Sequence, residues 1–184
     1  MNSFKLYIDT LLKLCNQKIN INEVPISAII VDPKIKKIIS VSAIGIYGNR
    51  GSEELNETSS LGDDFLATVC KKWEQTLFQM TDSELENYSL RVGVVLAPNG
   101  GALETLSPIF SLGLGGKVGS GNQYMSWIHI DDLVSQFVFL VNNSPEQRVF
   151  NAVSPTPVSN KDFTRALAKT FQMPAILPVP GIAL

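Results

Sequence analysis

Short apolar runs alternate along this chain with amphipathic stretches of helical spacing. Three runs rich in β-branched residues predict strands that are buried and apolar on both faces: 38–42, 88–97 and 149–153. Around them, apolar residues recur every three or four positions, which predicts helices at 2–18, 63–80, 102–111, 131–142 and 160–171. Buried strands that alternate with helices predict an α/β fold, with a mainly parallel sheet and flanking helices.

Polar signals mark where three of these helices begin. Ser60 and Ser159 are each followed by an aspartate three residues later, which is capping-box spacing. The pair Asp131-Asp132 is expected to cap its helix, because a carboxylate accepts hydrogen bonds from the unpaired amides of a first turn. The helix after Ser60 is predicted to bury one apolar face: Phe65, Val69, Trp73, Leu77 and Met80.

The composition is that of one globular domain covering residues 1–184. Hydrophobic residues make up 45% of the chain, enough for a sizeable core. The net charge is −2 and no long run carries one sign, which argues against nucleic acids and anionic membranes as partners. No stretch reaches ~18 consecutive apolar residues, so no membrane span is expected.

Cysteine and histidine usage predicts an intracellular protein without a bound metal. Cys15 and Cys70 are the only cysteines, too few for a disulfide framework and in keeping with a reducing compartment. Together with the single histidine, His129, they do not make a zinc site. The first residues lack the features of a secretory signal, so we expect the cytoplasm, or an organelle if a targeting segment has been lost.

A glycine-rich stretch precedes a run that contains Trp127 and His129. Five glycines fall within nine residues, namely Gly113, Gly115, Gly116, Gly119 and Gly121. Their spacing fits neither a P-loop nor the Gly-x-Gly-x-x-Gly turn of dinucleotide-binding folds. Two interpretations stay open: a wall of a ligand cleft, or a surface loop that leads into a buried strand.

The segment 126–130 is predicted to be extended. Alternate side chains of an extended segment share a face, so Trp127 and His129 point one way while Ile128 and Ile130 point the other. The two isoleucines belong in the core, which leaves the indole and the imidazole facing a cleft.

Arg91 is unusual because it lies inside an apolar strand. A buried guanidinium needs a partner of opposite charge or a set of hydrogen-bond acceptors. We expect a carboxylate of the fold to fill that role, in preference to a phosphate group of a ligand.

Five pieces of sequence occur in one order and together resemble a known family. They are 42–48 (SAIGIYG), 72–74 (KWE), 91–101 (RVGVVLAPNGG), 113–116 (GLGG) and 127–132 (WIHIDD). The series resembles the atypical short-chain dehydrogenases/reductases called epimerase family proteins, of the 39U type. The resemblance runs from about residue 40 to about residue 180.

The resemblance implies a partial, doubly wound Rossmann-type fold whose complete form binds NADP and a small-molecule substrate. It assigns catalytic positions to Ser42 and Tyr47. The cofactor contacts it implies are at Ser40, Gly93, Val94 and Val95. The substrate contacts fall in the segment 98–132, at Gly100, Gly101, Trp127 and His129.

The proton-transfer pair of related dehydrogenases is missing from this chain. That pair is a Tyr-x-x-x-Lys on the helix after the strand, in which the tyrosine transfers a proton and the lysine lowers its pKa. Residues 65–74 contain no tyrosine, and Leu66 and Cys70 stand where the pair belongs. Ala43 holds the usual serine position, one residue from Ser42.

The family's N-terminal βα units, with their Gly-rich turn, and its C-terminal end also have no counterpart here. The amides of that turn hold the cofactor's pyrophosphate, so we expect this chain alone to bind NADP weakly or not at all. The missing strands also predict an unpaired sheet edge through which the chain self-associates.

Three functions remain open on these residues. The first is an NAD(P)-dependent epimerase/dehydratase-like or oxidoreductase-like enzyme that acts on an unidentified small molecule. A catalytically silent cofactor-binding or regulatory protein is the second, and it accounts for the absent tyrosine. The third is a truncated fragment without function, which accounts for the absent βα units.

Overall fold

The computed structural model describes residues 29–32, 37–79, 85–98 and 100–177, so the predicted helix at 2–18 lies outside the described residues. The elements in chain order are β1 (Ile29–Asp32), β2 (Lys37–Ala43), a 3-10 helix (Ile44–Tyr47), α1 (Phe65–Phe78), β3 (Glu86–Val92), β4 (Val94–Ala97), α2 (Gly101–Ser111), β5 (Tyr124–Met125), β6 (Trp127–His129), α3 (Ile130–Asn142), β7 (Val149–Ala152), β8 (Val158–Ser159) and α4 (Asn160–Phe171).

A four-stranded sheet in the order β1-β2-β3-β7 forms the centre of the fold. Strands β2, β3 and β7 run parallel, which confirms the predicted α/β architecture. Ala43 pairs with Val92, and Val92 pairs with Ala152, so the three strands end level with one another. Strand β1 runs antiparallel along 37–40 of β2 and leaves 41–43 without a described neighbour on that side. The predicted self-association at this edge stays a prediction.

The run 88–97, predicted as one strand, is in fact two strands in different sheets. Strand β3 ends at Val92, whereas β4 pairs with β6 in a separate parallel pair. The Gly93 amide donates to the Ala152 carbonyl (3.1 Å), and the next amide, of Val94, donates to the Ser126 carbonyl (2.9 Å). A Cβ atom at Gly93 would lie 2.6 Å from the Ser126 oxygen. Glycine is therefore required where the chain changes sheets.

The two faces of the main sheet differ in chemistry. The face under α3 is apolar, and its core cluster contains Ile39, Val41, Leu90, Val92, Leu133 and Leu140. The face under α1 is more polar: besides Ile38 and Val149 it carries Ser40, Ser42, Ser89, Arg91 and Asn151. The prediction that these strands are apolar on both faces was therefore wrong for one face, although β2 and β3 are largely buried.

Helix α1 is rotated relative to the predicted amphipathic face. Its buried residues are Ala67, Cys70, Glu74 and Leu77, so Leu77 is buried as predicted, whereas Phe65 is 70% exposed. Met80 lies outside the described residues. The helix turns its acidic residue Glu74 toward the polar face of the sheet, which is why the apolar pattern misjudged the inward side. The predicted cap, Ser60, was also wrong, because Asp64 is the cap and its carboxylate accepts from the Ala67 backbone amide (2.8 Å).

Helices α3 and α4 begin with different caps. Helix α4 begins as predicted, since the Ser159 hydroxyl accepts from the Asp162 amide (3.1 Å). Helix α3 is capped by His129, whose Nδ1 accepts from the Asp131 amide (3.2 Å), so neither aspartate is the cap. At the other end of α3, buried Lys37 donates from Nζ to the Leu140 carbonyl (3.0 Å), as a cation at a helix C-terminus should.

Candidate functional site

The carboxyl ends of β2 and β3 meet under the 3-10 helix Ile44–Tyr47, at the edge where parallel α/β sheets bind ligands. Ser42 lies just before this end, 3% exposed, and its hydroxyl has no hydrogen-bond partner among the described residues. Cys70 of α1 lies close to Ser42 and Ala43. Burial raises the pKa of the Cys70 thiol, so the thiol is protonated at neutral pH and is a poor nucleophile.

A network of hydrogen bonds holds the Tyr47 hydroxyl in place. Its hydroxyl donates to Asn151 Oδ1 (2.6 Å) and accepts from Arg91 Nη1 (2.8 Å). Arg91 in turn donates to both carboxylate oxygens of Glu74, at 2.9 and 2.8 Å. The prediction that Arg91 pairs with a carboxylate of the fold is thus confirmed. Burial alone would lower the pKa of Arg91, but the hydrogen bonds to Glu74 and Tyr47 outweigh it and raise that pKa, so the pair is ionic.

The chain of hydrogen bonds extends to residues that the sequence reasoning missed. The Asn151 backbone amide donates to Glu57 Oε1 (2.8 Å), so a hydrogen bond connects the loop after the 3-10 helix to β7. A buried arginine signals that a carboxylate exists, but it does not say that Glu74 supplies it. Nothing in the sequence pattern marked Asn151 or Glu57 as members of the same cluster.

Leu66 and Cys70 are the α1 residues that approach the end of β2. A Cβ at Gly45 would lie 3.8 Å from Leu66 Cβ, and Cys70 packs with Ile46 and Tyr47. Leu66 is 60% exposed and Cys70 is buried. The two α1 positions beside the turn therefore carry an aliphatic side chain and a protonated thiol, and neither carries a tyrosine or a lysine.

The predicted cofactor and substrate residues from Gly93 onward lie together around the β4–β6 pair. Val94 pairs with Trp127, and Leu96 pairs with His129. The turn after β4 folds back, so that Gly101 bridges to Leu96 and Gly100 bridges to Ala97. Val95 lies in the middle of β4. The catalytic candidates Ser42 and Tyr47, with Ser40, lie on or just after β2, whose last residue Ala43 pairs with Val92, next to Gly93.

The β6 side chains alternate as predicted. Ile128 is 1% exposed and Ile130 packs against the same core, whereas His129 is exposed. Trp127 is half-buried and its indole Nε1 donates to the Thr156 carbonyl (3.1 Å). The role of Trp127 and His129 in binding a substrate stays a prediction.

The glycine loop meets protein atoms at its closest approaches. A Cβ at Gly115 would lie 2.6 Å from the Phe110 ring, and one at Gly116 would lie 1.5 Å from the Leu177 carbonyl oxygen. Gly121 has a positive φ of +75° and packs against Lys117 and Lys161. These contacts account for the glycines without a ligand, which favours the surface-loop interpretation of this stretch.

The chain is similar in sequence and in structure to known proteins. The chain is 37% identical over 159 residues to an epimerase family protein of Mycobacterium bovis, and 37% identical over 147 residues to the chloroplastic SDR39U1 homologue of Arabidopsis thaliana. The crystal structure of the human epimerase family protein SDR39U1 with NADPH matches at 31% identity and a TM-score of 0.76. The chain is an epimerase-family homologue. No protein-family profile matches it.

The matches cover much of this homologue but only part of each relative. They span 86% of the chain against 53% of the Mycobacterium bovis protein, and 80% against 42% of the Arabidopsis thaliana protein. The human structure is matched over 80% of this chain and 50% of that one. The epimerase-family homologue thus spans about half the length of the curated relatives it matches. The resemblance and the Rossmann-type fold inferred from sequence are confirmed.

Within 29–32, 37–79, 85–98 and 100–177, no group of three or more His, Cys, Asp or Glu side chains is placed to hold a metal ion. No helix in the same part of the chain is long and apolar enough to cross a membrane.

Proposed function

We propose that this chain binds the nicotinamide end of NADP(H) over the carboxyl ends of β2 and β3, and a small molecule beside the β4–β6 pair. The observation that carries the proposal is the level ending of the two parallel strands under a turn that Tyr47 and Arg91 hold in place. The similarity to the human SDR39U1 structure with NADPH supports the choice of cofactor. In this proposal Ser40 and the segment 93–95 contact the cofactor, and Gly100, Gly101, Trp127 and His129 contact the small molecule.

The contacts favour binding over Tyr-Lys catalysis. The resemblance puts Leu66 and Cys70 where the proton-transfer pair belongs, and the Tyr47 hydroxyl already makes two hydrogen bonds. Ser42 is 3% exposed, and its hydroxyl makes no hydrogen bond to a general base among the described residues. We therefore propose a catalytically silent cofactor-binding or regulatory role ahead of an epimerase, dehydratase or oxidoreductase activity.

The affinity of this chain for the whole dinucleotide should be low. Three helix N-termini are occupied by their own caps, Asp64, His129 and Ser159, and those of α3 and α4 also carry acidic residues in the first turn. Gly45, Gly48 and Gly51 follow β2 at three-residue spacing, yet a Cβ at Gly48 would lie 3.2 Å from an Asp64 carboxylate oxygen. A negative charge at that place disfavours a pyrophosphate.

Calorimetric titration with cofactor fragments tests the proposal. We expect NADPH to bind this chain with a dissociation constant above about 100 µM, and reduced nicotinamide mononucleotide to keep most of that affinity. The matched control is 2′-phospho-ADP-ribose, the other half of the cofactor, which should bind much more weakly. Binding of that fragment in preference to the nicotinamide fragment would contradict the proposal, and sub-micromolar NADPH affinity would contradict the low-affinity part of it.

A further inference from the structure

The outer edge of β7 carries backbone groups that point away from the sheet. Strand β7 is the last strand in the described order β1-β2-β3-β7. The Ser89 amide donates to the Arg148 carbonyl (2.9 Å), and the Gly93 amide donates to the Ala152 carbonyl (3.1 Å). Successive residues of a parallel strand direct their backbone groups to opposite sides, so Val149 and Asn151 direct theirs outward. Such a row is a template for a strand of another chain.

Two side chains occupy this outward row. The backbone amide of Asn151 donates to Glu57 Oε1 (2.8 Å). The backbone carbonyl of Val149 accepts from Gln147 Nε2 (2.6 Å). A donor and an acceptor that a neighbouring strand would use are therefore already engaged. Gln147 is adjacent to β7 in sequence, whereas Glu57 reaches the edge from a distant loop.

The loop 48–62 holds Glu57 in place. Its neck is closed, because the Gly62 amide donates to the Ile46 carbonyl (2.9 Å) and Gly62 lies directly against Gly48. At the tip, Asn56 Oδ1 accepts from the Thr58 amide (2.9 Å), and the Glu57 carbonyl accepts from Arg91 Nη1 (3.4 Å). A compact loop with joined ends and an internally bonded tip is an Ω-loop, which presents a side chain at a fixed position.

We propose that Glu57 covers the outer edge of β7 and prevents the chain from pairing along β7 with a second copy of itself. Two identical edges can pair antiparallel about a two-fold axis, each giving and receiving the same contacts. The carboxylate blocks this by engaging the Asn151 amide, and it adds a charge to the edge. A shallow hollow beside the edge gives room for an incoming backbone once the side chain is shortened; it is lined by Asn56, Glu57, Thr58, Gln147, Arg148 and Val149.

Sedimentation velocity over a range of protein concentrations tests whether Glu57 suppresses self-association. Glu57→Ala should raise the self-association constant by about tenfold or more over wild type, because one outward amide loses its partner. Glu57→Ser serves as a second variant in case the alanine form does not fold, since serine cannot span the distance. Glu57→Gln keeps the acceptor oxygen and should stay close to wild type. Glu53→Ala, on the same loop, is the matched control and should also stay close to wild type.

A second substitution locates the new contact. Val149→Pro removes an outward N–H without touching the bonds to β3, so Glu57→Ala with Val149→Pro should return to wild-type association. The proposal is overturned if folded Glu57→Ala and Glu57→Ser associate no more than wild type. It is also overturned if their association persists with Val149→Pro, or if Glu57→Gln associates as strongly as Glu57→Ala.

Discussion

The two faces of the main sheet are built on opposite principles. Under α3 the side-chain contacts are mainly apolar, with Leu140 and Leu90 each 1% exposed, and their contribution to stability grows with the area removed from water. Under α1 an ion pair of similar burial, Arg91 with Glu74, leads into hydrogen bonds to Tyr47 and Asn151. Hydrogen bonds are directional, whereas apolar contacts are not. The polar face therefore sets the position of the 3-10 helix and of the loop above it. The apolar face contributes to stability mainly through buried apolar area.

The largest effect should come from breaking the ion pair on one side only. Glu74→Ala leaves a buried guanidinium without its partner, and we expect a loss of about 3–5 kcal/mol in the free energy of unfolding, measured with urea. Replacing both Glu74 and Arg91 by methionine should restore much of it, because no charge is then stranded. The control is Glu53→Ala, which breaks an exposed pair and should cost below about 1 kcal/mol. A loss equally small for Glu74→Ala would contradict this view of the polar face.

On the apolar face a truncation should behave differently. Leu140→Ala removes buried methyl groups from the core cluster and should cost about 2–4 kcal/mol in urea unfolding. A second truncation on this face should not restore the lost stability, because it enlarges the cavity, whereas the second replacement at the ion pair removes an unpaired charge. If Leu140→Ala combined with Val41→Ala proved more stable than Leu140→Ala alone, the distinction between the two faces would be lost.

A smaller effect is expected at the link between the polar face and the turn. Tyr47→Phe keeps the ring but leaves Arg91 Nη1 and Asn151 Oδ1 without the hydroxyl, at a cost of about 1–3 kcal/mol. Amide exchange should accelerate at Gly48 and Gly62 more than in α3, because the hydroxyl positions the turn. Uniform acceleration across the whole chain would show instead that Tyr47 only adds global stability.

The smallest stability effect is expected at His129, which belongs to neither face. Its ring is exposed and its one hydrogen bond caps α3, so His129→Ala should cost about 0.5–1 kcal/mol in thermal unfolding. Under the proposed function the same variant should lower the affinity of the chain for the small molecule. A loss of several kcal/mol would mean that His129 is a structural group, and its proposed role in binding would be withdrawn.

The apolar half of this picture was predictable from sequence, and the polar half was not. Apolar runs gave the strands around Val41, Leu90 and Phe150, because burial needs only the right residue type at the right period. The break at Gly93 was missed, since a glycine within an apolar run looks like continued strand. Arg91 predicted a carboxylate partner. The identity of that partner, Glu74, depends on how α1 packs across the sheet, and no local sequence pattern indicates that packing.

The candidate site divides in the same way. The alternation of Ile128 and His129 followed from extended geometry and was confirmed. That the Tyr47 hydroxyl is engaged by Asn151 depends on the register of β3 against β7, so it could not be read from spacing. The glycines after Phe110 left a ligand cleft and a surface loop open as interpretations, and Phe110 and Leu177 fill the space beside Gly115 and Gly116.

The most direct test of the proposed function is residue-resolved NMR of the 184-residue chain during titration with NADPH. Our account predicts that saturable amide shifts concentrate at Gly45, Gly48 and the segment 93–95, and that reduced nicotinamide mononucleotide reproduces them. The Gly113–Gly121 loop should shift little, because its glycines pack against protein. Shifts confined to that loop, or no shift beside β2 and β3 at millimolar NADPH, would contradict the account.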